Sequence, residues 1–308
     1  MITFLSGGTG TPKLIQGFRR IIDDDKLTII ANSADNIWIY GLYISPDIDT
    51  ILYLFSDQLD IEKYWGVKDE TFNVLDSLNR YGVNTWFRLG DKDLGLHILR
   101  TLEMQKGKNQ SEIIDSFRKK LEIKAKIYPS SENHIETRII TNSDEDIHFQ
   151  EFWIKNKGNT KIKDVYVRNV ENAIFPKSAQ TELENSDIII IGPSNPITSI
   201  GPILEITTLR KTLETNKKKC IAISPIIGNK PVSGPTGKLM KAKKLEVSPV
   251  GIAKLYEDVC STIIIHETDE SFRKEIENET NLEVLSQNIL FSKDSISKNL
   301  ASSILDWG

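Results

Sequence analysis

The stretch Met1-Ile2-Thr3-Phe4-Leu5-Ser6-Gly7-Gly8-Thr9-Gly10-Thr11-Pro12 is a short apolar run that stops in a glycine-rich turn. Ile2–Leu5 lacks polar alternation, the mark of a strand buried on both faces in a parallel sheet. Ser6 to Thr11 read as a loop opening a helix predicted over Pro12–Arg20. Glycines let backbone N–H groups approach an anion, and the helix N-terminus behind them supplies donors and positive dipole. Pro12 suits a first helical turn, where its missing N–H has no partner to lose. The spacing is neither the Walker A pattern nor Gly-x-Gly-x-x-Gly. Locally, a phosphate site and a plain strand-to-helix turn both remain open.

Similar runs recur at Leu27–Ala31, Ile188–Ile191, Cys220–Ile223 and Ser261–Ile265, with helical periodicity between them. They predict an α/β fold, a Rossmann-like and mostly parallel sheet with helices on both faces. Four loops, Ser6-Gly7-Gly8, Asn32 to Asn36, Gly192 to Pro196 and Ser224-Pro225, follow these strands and are expected to share one crevice at their carboxyl ends. The middle of the chain differs. Ser56 to Leu121 is helix-rich and Lys124 to Val170 alternates like strands, including Ile147 to Trp153. The expectation is a single domain over 1–308 carrying an inserted helix-rich and strand subdomain, or lid, at about 56–170.

The 308 residues suffice for a substantial core, and the net charge of −4 argues against a nucleic-acid surface. Lys217–Lys219 reads as a solvated face, whereas Lys238, Lys241, Lys243 and Lys244 follow a Gly-Pro loop that could meet phosphate. Cys220 and Cys260 lie in or beside apolar runs without metal-ligand spacing, so buried free thiols are expected. No signal peptide or membrane span is read, and the expected location is cytoplasmic. His97 and His148, among four histidines, lack ligand spacing and read as structural.

Asp47-Ile48-Asp49 places two carboxylates two residues apart beside Pro46, where they could point the same way. Such a pair can hold Mg²⁺ or supply a general base, or one member, Asp49, can cap a helix over Thr50–Phe55. Arg88, before Leu89-Gly90-Asp91-Lys92-Asp93, marks a second polar cluster, in which Asp91 or Asp93 can equally cap the next helix. Trp38, Trp86 and Phe87 lie near these loops as core residues or as a ring platform.

Taken in order, Ser6 to Leu14, Asn32 to Asn36, Ile44 to Thr50, Leu89 to Asp93, His148 to Trp153, Ile191 to Pro202 and Ser224 to Gly228 through Ser233 to Met240 closely resemble the 2-phospho-L-lactate transferase family of deazaflavin coenzyme biosynthesis. The likeness runs from Met1 to about Asp258. It implies transfer of the 2-phospho-L-lactate, or a phosphoenolpyruvyl-type, moiety from a guanosine diphosphate ester donor, lactyl-2-diphospho-5′-guanosine, to the ribityl hydroxyl of the acceptor 7,8-didemethyl-8-hydroxy-5-deazariboflavin. GMP leaves and Mg²⁺ assists. The family's deazaflavin contacts fall on Asp49 and Arg88.

An alcohol attacking a diphosphate needs a base, cations and fixed donors. In this frame Asp49 is the candidate base, Asp47 and Asp49 the candidate Mg²⁺ ligands, and Gly7, Gly8, Thr9, Gly10, Thr11, Ser194 and Asn195 the phosphate donors. Ser224 and Lys238 join the candidate donor site, with the loop Gly228–Lys238 as a clamp. A homodimer is expected, without nucleic-acid or membrane partners. The alternatives are a nucleotide-sugar-binding regulatory protein on the same scaffold, and a nicotinamide dehydrogenase, disfavoured because no acidic residue closes the second strand at Ala31-Asn32.

Overall fold

The computed structural model describes residues 1–307. Seven strands form one parallel sheet. Its members are β1 (Ile2–Ser6) and β2 (Leu27–Ala31), then, after a small hairpin of β3 (Ile37–Ile39) and β4 (Leu42–Ile44), β5 (Lys126–Pro129). An antiparallel unit of β6 (Glu136–Thr141), β7 (Asp146–His148) and β8 (Ile162–Arg168) intervenes. The sheet resumes with β9 (Ile188–Ile191) and β10 (Cys220–Ile223). A two-stranded ribbon, β11 (Ile226–Ile227) with β12 (Lys230–Pro231), precedes β13 (Thr262–His266) and β14 (Glu283–Gln287). The spatial order is β14-β13-β10-β9-β1-β2-β5.

The sheet grows outward from β1 through β2 to β5, then returns to start again at β9 on the other side of β1. That reversal is a topological switch point, where a crevice opens beyond the strand ends. The strand residues divide between two cores. Phe4, Ile188 and Ile190 pack on one face, whereas Leu5, Ile189 and Ile191 pack on the other. Burial on both faces is why these strands carry no alternation.

Five helices matter to the site: α1 (Gly10–Phe18), α2 (Pro46–Phe55), α3 (Asn73–Arg80), α4 (Asp91–Gln105) and α5 (Gln110–Lys120). Helix α1 lies against the C-terminal helix Asp294–Trp307. The stretch at about 56–170 is divided, because β5 belongs to the main sheet. Helices precede it, and the β6–β8 unit with a small core of its own follows. The alternation beginning at Ile147 ends at His148, and Glu151–Lys155 turns as a π-type helical turn. Cys220 and Cys260 are free and buried. Among the described residues no helix is long and apolar enough to cross a membrane.

Candidate functional site

A cleft of about 550 Å³ opens at the switch point, lined by residues from all four strand-end loops: Gly8, Thr9 and Gly10 after β1, Asp35 after β2, Pro193 to Asn195 after β9, and Pro225 after β10. The expected convergence of these loops is therefore present. Gly8 adopts φ +57°, which a β-branched residue would resist. At Gly10, the first residue of α1, a Cβ would overlap the Pro193 carbonyl, so only glycine allows the two loops to touch. They are tied there: the Ser194 hydroxyl accepts from the Thr11 amide at 3.1 Å and lies 2.8 Å from the Thr11 hydroxyl. Asn195 accepts the Ile197 amide at 3.0 Å and shapes the following turn.

Helix α2 begins at Pro46, so Asp47 and Asp49 both fall in its first turn rather than Asp49 capping a later start. Residues two apart on a helix do not share a direction. The two carboxylates diverge accordingly. Asp47 accepts from the Gly8 amide at 2.8 Å and from Asn32 Nδ2 at 3.0 Å. Asn32 also donates to the Thr198 carbonyl at 3.1 Å, coupling three of the loops. Asp49 faces Arg100 on α4 in a bidentate pair, Nη1 to Oδ2 at 3.0 Å and Nη2 to Oδ1. Arg100 is fully buried. His97 Nδ1 lies 3.3 Å from Arg100 Nη1 and, since guanidinium only donates, must accept.

Burial governs the electrostatics. It pushes the Asp47 carboxyl up to about 6, opposed by its bonds to Asn32 and Gly8 and reinforced by the Asp49 charge. Asp35 is raised well above the ordinary range by burial and by Asp47, and its Oδ1 is buried with no partner. Burial raises Asp93 to about 6 as well, and lowers His97 to about 4.

Part of the lining is aromatic. Trp65, Phe87, Phe149 and Trp153 line the cleft with Arg88, whose guanidinium lies 4.1 Å from the Phe72 ring centre. Asp91 and Glu70 open the two helices that follow Glu70 in the chain. Asp91 reaches back to accept the Asn73 and Val74 amides at 3.0 Å, opening α3, while Glu70 accepts the Lys92 amide at 2.9 Å and the Asp93 amide at 3.2 Å, opening α4. Asp93 faces the cleft.

Of the residues singled out from sequence, Gly8, Thr9, Gly10, Asp47, Asp49, Arg88, Ser194 and Asn195 line the cleft. Gly7 and Thr11 sit behind it, and Ser224 is buried with its hydroxyl closing a turn onto the Ile226 carbonyl at 2.9 Å. Lys238 points off the cleft to the Gly158 carbonyl at 2.8 Å, although Val232 to Thr236 of the same loop form part of the wall. Trp38 and Trp86 are not on the wall; Trp38 packs edge-on against Tyr43 and Trp86 against Phe87. From sequence, Asn32 and Asp35 read only as part of a converging loop and Asp93 only as part of the Arg88 cluster or a cap, while Tyr53 and Arg100 are passed over. The signal for Arg100 is spacing alone: it and Asp93 stand on α4 one turn either side of His97.

The likeness to known proteins covers the same ground. The family model described as 2-phospho-L-lactate transferase CofD matches residues 2–299. A 2-phospho-L-lactate transferase from Methanocaldococcus jannaschii is 41% identical over 313 residues, covering 100% of this chain and 98% of that protein. The one from Methanosarcina mazei is 42% identical over 269 residues, covering 87% and 88% respectively. In fold, the chain is similar to a crystal structure of a UPF0052 family protein from Bacillus halodurans, with a TM-score of 0.63, 16% identity and coverage of 99% and 98%. With the family model matching residues 2–299 and relatives this similar over most of their length, the chain belongs to the 2-phospho-L-lactate transferase CofD family.

Proposed function

We propose that this transferase moves the 2-phospho-L-lactate moiety, or its phosphoenolpyruvyl analogue, from a guanosine diphosphate ester to the ribityl hydroxyl of the deazaflavin acceptor, releasing GMP. The observation that carries the reading is the lining of the cleft. The same cleft is lined by a glycine turn at a helix N-terminus, by the aromatic residues Trp65, Phe87, Phe149 and Trp153 with Arg88, and by the carboxylates Asp35, Asp47, Asp49 and Asp93. The first suits a diphosphate and the second a planar ring system. Arg88 and Asp49 are its acceptor contacts, with Asp49 held in place by Arg100. Gly8, Thr9, Gly10, Ser194 and Asn195 serve the diphosphate, and the loop at Val232 to Thr236 closes over it.

Among the described residues no three acidic, His or Cys side chains converge on a point. Mg²⁺ commonly takes one or two protein carboxylates and completes its shell with water and phosphate oxygens, so that is no obstacle. Asp35 and Asp47 fit it: both are buried, neither has a cationic partner, and one Asp35 oxygen has no partner at all. Asp49 fits less well, its charge being matched by Arg100. Bound there, Mg²⁺ would neutralise diphosphate charge. The test is mass spectrometry of the product after incubating the protein with deazaflavin, Mg²⁺ and each guanosine diphosphate ester in turn. A deazaflavin increased by the phospho-acid is expected from one of them; none from any would refute the reading. Binding of UDP-sugars instead of guanine nucleotides would favour the regulatory alternative.

A further inference from the structure

We propose that Asp93 takes the proton from the acceptor hydroxyl, leaving Asp49 to orient it. The inference rests on the transfer reaction just described and on the placement of the cleft carboxylates. Asp49 is ill placed to take the proton, because both its oxygens already accept from a fully buried guanidinium. Asp47 is committed to the phosphate side through Gly8 and Asn32. Asp93, five residues after Arg88 and lining the cleft with it, has no ion-pair partner among the described residues.

Its surroundings are set by three elements. Asp49 and Tyr53 face it from α2, Glu70 from the chain before α3, and His97 and Arg100 stand further along its own helix. Asp91 points back to α3 and takes no part. Burial is the largest influence on its carboxyl, with the Asp49 and Glu70 charges adding to it and the Tyr53 hydroxyl and the Gly90 amide opposing, which brings it to about 6, where a base is effective near neutrality. Glu70 accepts the Lys92 and Asp93 amides in the first turn of α4, so the Gly90 amide is the one backbone donor there that bears on the Asp93 carboxylate.

In the step, the hydroxyl oxygen forms a bond to the phosphorus that carries the three-carbon acid while its proton passes to the Asp93 carboxylate. The bond from that phosphorus to the bridging oxygen breaks, and the electron pair leaves on GMP. The Asp93 carboxylic acid returns its proton to water afterwards. No oxidant or reductant is involved.

The test compares the parent with Asp93→Asn and Asp93→Glu in single-turnover transfer, across pH 5 to 8. Deazaflavin affinity is followed by fluorescence and GDP affinity by calorimetry. For Asp93→Asn the expected rate loss is at least ~10²-fold, with both affinities within about threefold of the parent. The parent rate should fall as pH drops below about 6, where Asp93 and Asp47 both take up protons, and the residual rate of Asp93→Asn should show a shallower limb, with the Asp93 share missing. Turnover within threefold of the parent, an acid limb as steep as the parent's, or loss of both affinities in step with rate would each overturn the proposal. Should Asp93→Asn fail to fold by circular dichroism, Asp93→Glu decides: a slowed rate with a displaced acid limb supports the role, and a parental rate and limb refute it. A parent that transfers nothing sinks the reaction itself, whereas an active parent with an active Asp93→Asn sinks only this base.

Discussion

Arg100→Met should destabilise the protein severely, and the structure says by how much. The guanidinium is fully buried and Asp49 is 3% exposed, so neither charge of the pair is relieved by water. Methionine fills comparable space but leaves the Asp49 carboxylate without its counter-charge. Removing one partner of a buried pair costs about 3–5 kcal/mol, a large share of the ~5–15 kcal/mol that holds a domain together. At roughly 2 °C per kcal/mol for a chain of this size, the melting temperature should drop by about 6 °C or more. Urea denaturation of the ligand-free protein gives the free energy directly. The second arm is Asp49→Leu with Arg100→Met, in which neither charge of the pair remains. That double variant should recover most of the loss, with a coupling energy of at least ~2 kcal/mol. A cost below ~1 kcal/mol for Arg100→Met, or additivity in the double variant, would refute the argument. The same pair complicates Asp49→Asn: a loss of turnover there, expected at about 10²-fold or more, reports Arg100 left uncompensated as well as the lost carboxylate.

Gly8→Val should abolish GDP binding with the far-UV circular dichroism near that of the parent, since φ +57° and the Ser199 hydroxyl 3.1 Å from the added Cβ leave the side chain no room; parental affinity would make the loop a mere turn. Arg88→Ala should weaken deazaflavin binding, read by fluorescence, more than GDP binding, read by calorimetry; equal losses would detach Arg88 from the acceptor. His148 is buried and held down to about 4, so the unfolded chain binds its proton first on acidification. Its contribution is present in full above about pH 6.5 and is lost as pH falls toward 4. Melting temperature measured from pH 7 to 4.5 should therefore fall less steeply for His148→Gln than for the parent, and identical slopes would contradict the assignment.

The central strands were readable because burial on both faces writes itself as unbroken apolar runs. β5 and β14 were not, for the converse reason. They are the two edges of the sheet, and Lys126, Pro129, Glu283 and Gln287 reflect the solvent and the open ladder beside them. In the site, the glycine turn and Asp47 were legible because the chemistry sits in a short local pattern. The partner of Asp49 was not. Arg100 lies 51 residues on, inside a helix, and nothing adjacent to it in sequence distinguishes it from a solvated arginine. Asp35 was visible in its motif, yet its pairing with Asp47 depends on the angle at which α2 leaves the hairpin β3–β4. Trp65 and Trp153 reach the cleft through irregular turns, for which periodicity gives no rule.

The position of β1 carries a consequence for how this protein is made. It is made before the other strands of the sheet, but it lies in the middle of it, with Ile2 in register with Ile188 of β9. Helix α1 in turn packs on the last helix, with Gly17 pressed so closely against the Ser297 backbone that a side chain there would clash. At ~5–20 residues per second of translation, the first strand and helix wait on the order of tens of seconds for their neighbours to emerge. During that time Leu14, Ile15 and Phe18 have no native cover from Leu300, Ala301 and Ile304. The piece of chain that shapes the glycine turn is thus made well before the segments that enclose it. Yield in the cell should depend on chaperones that hold the amino-terminal segment, and assembly should be slow, as expected when contacts join distant parts of a chain.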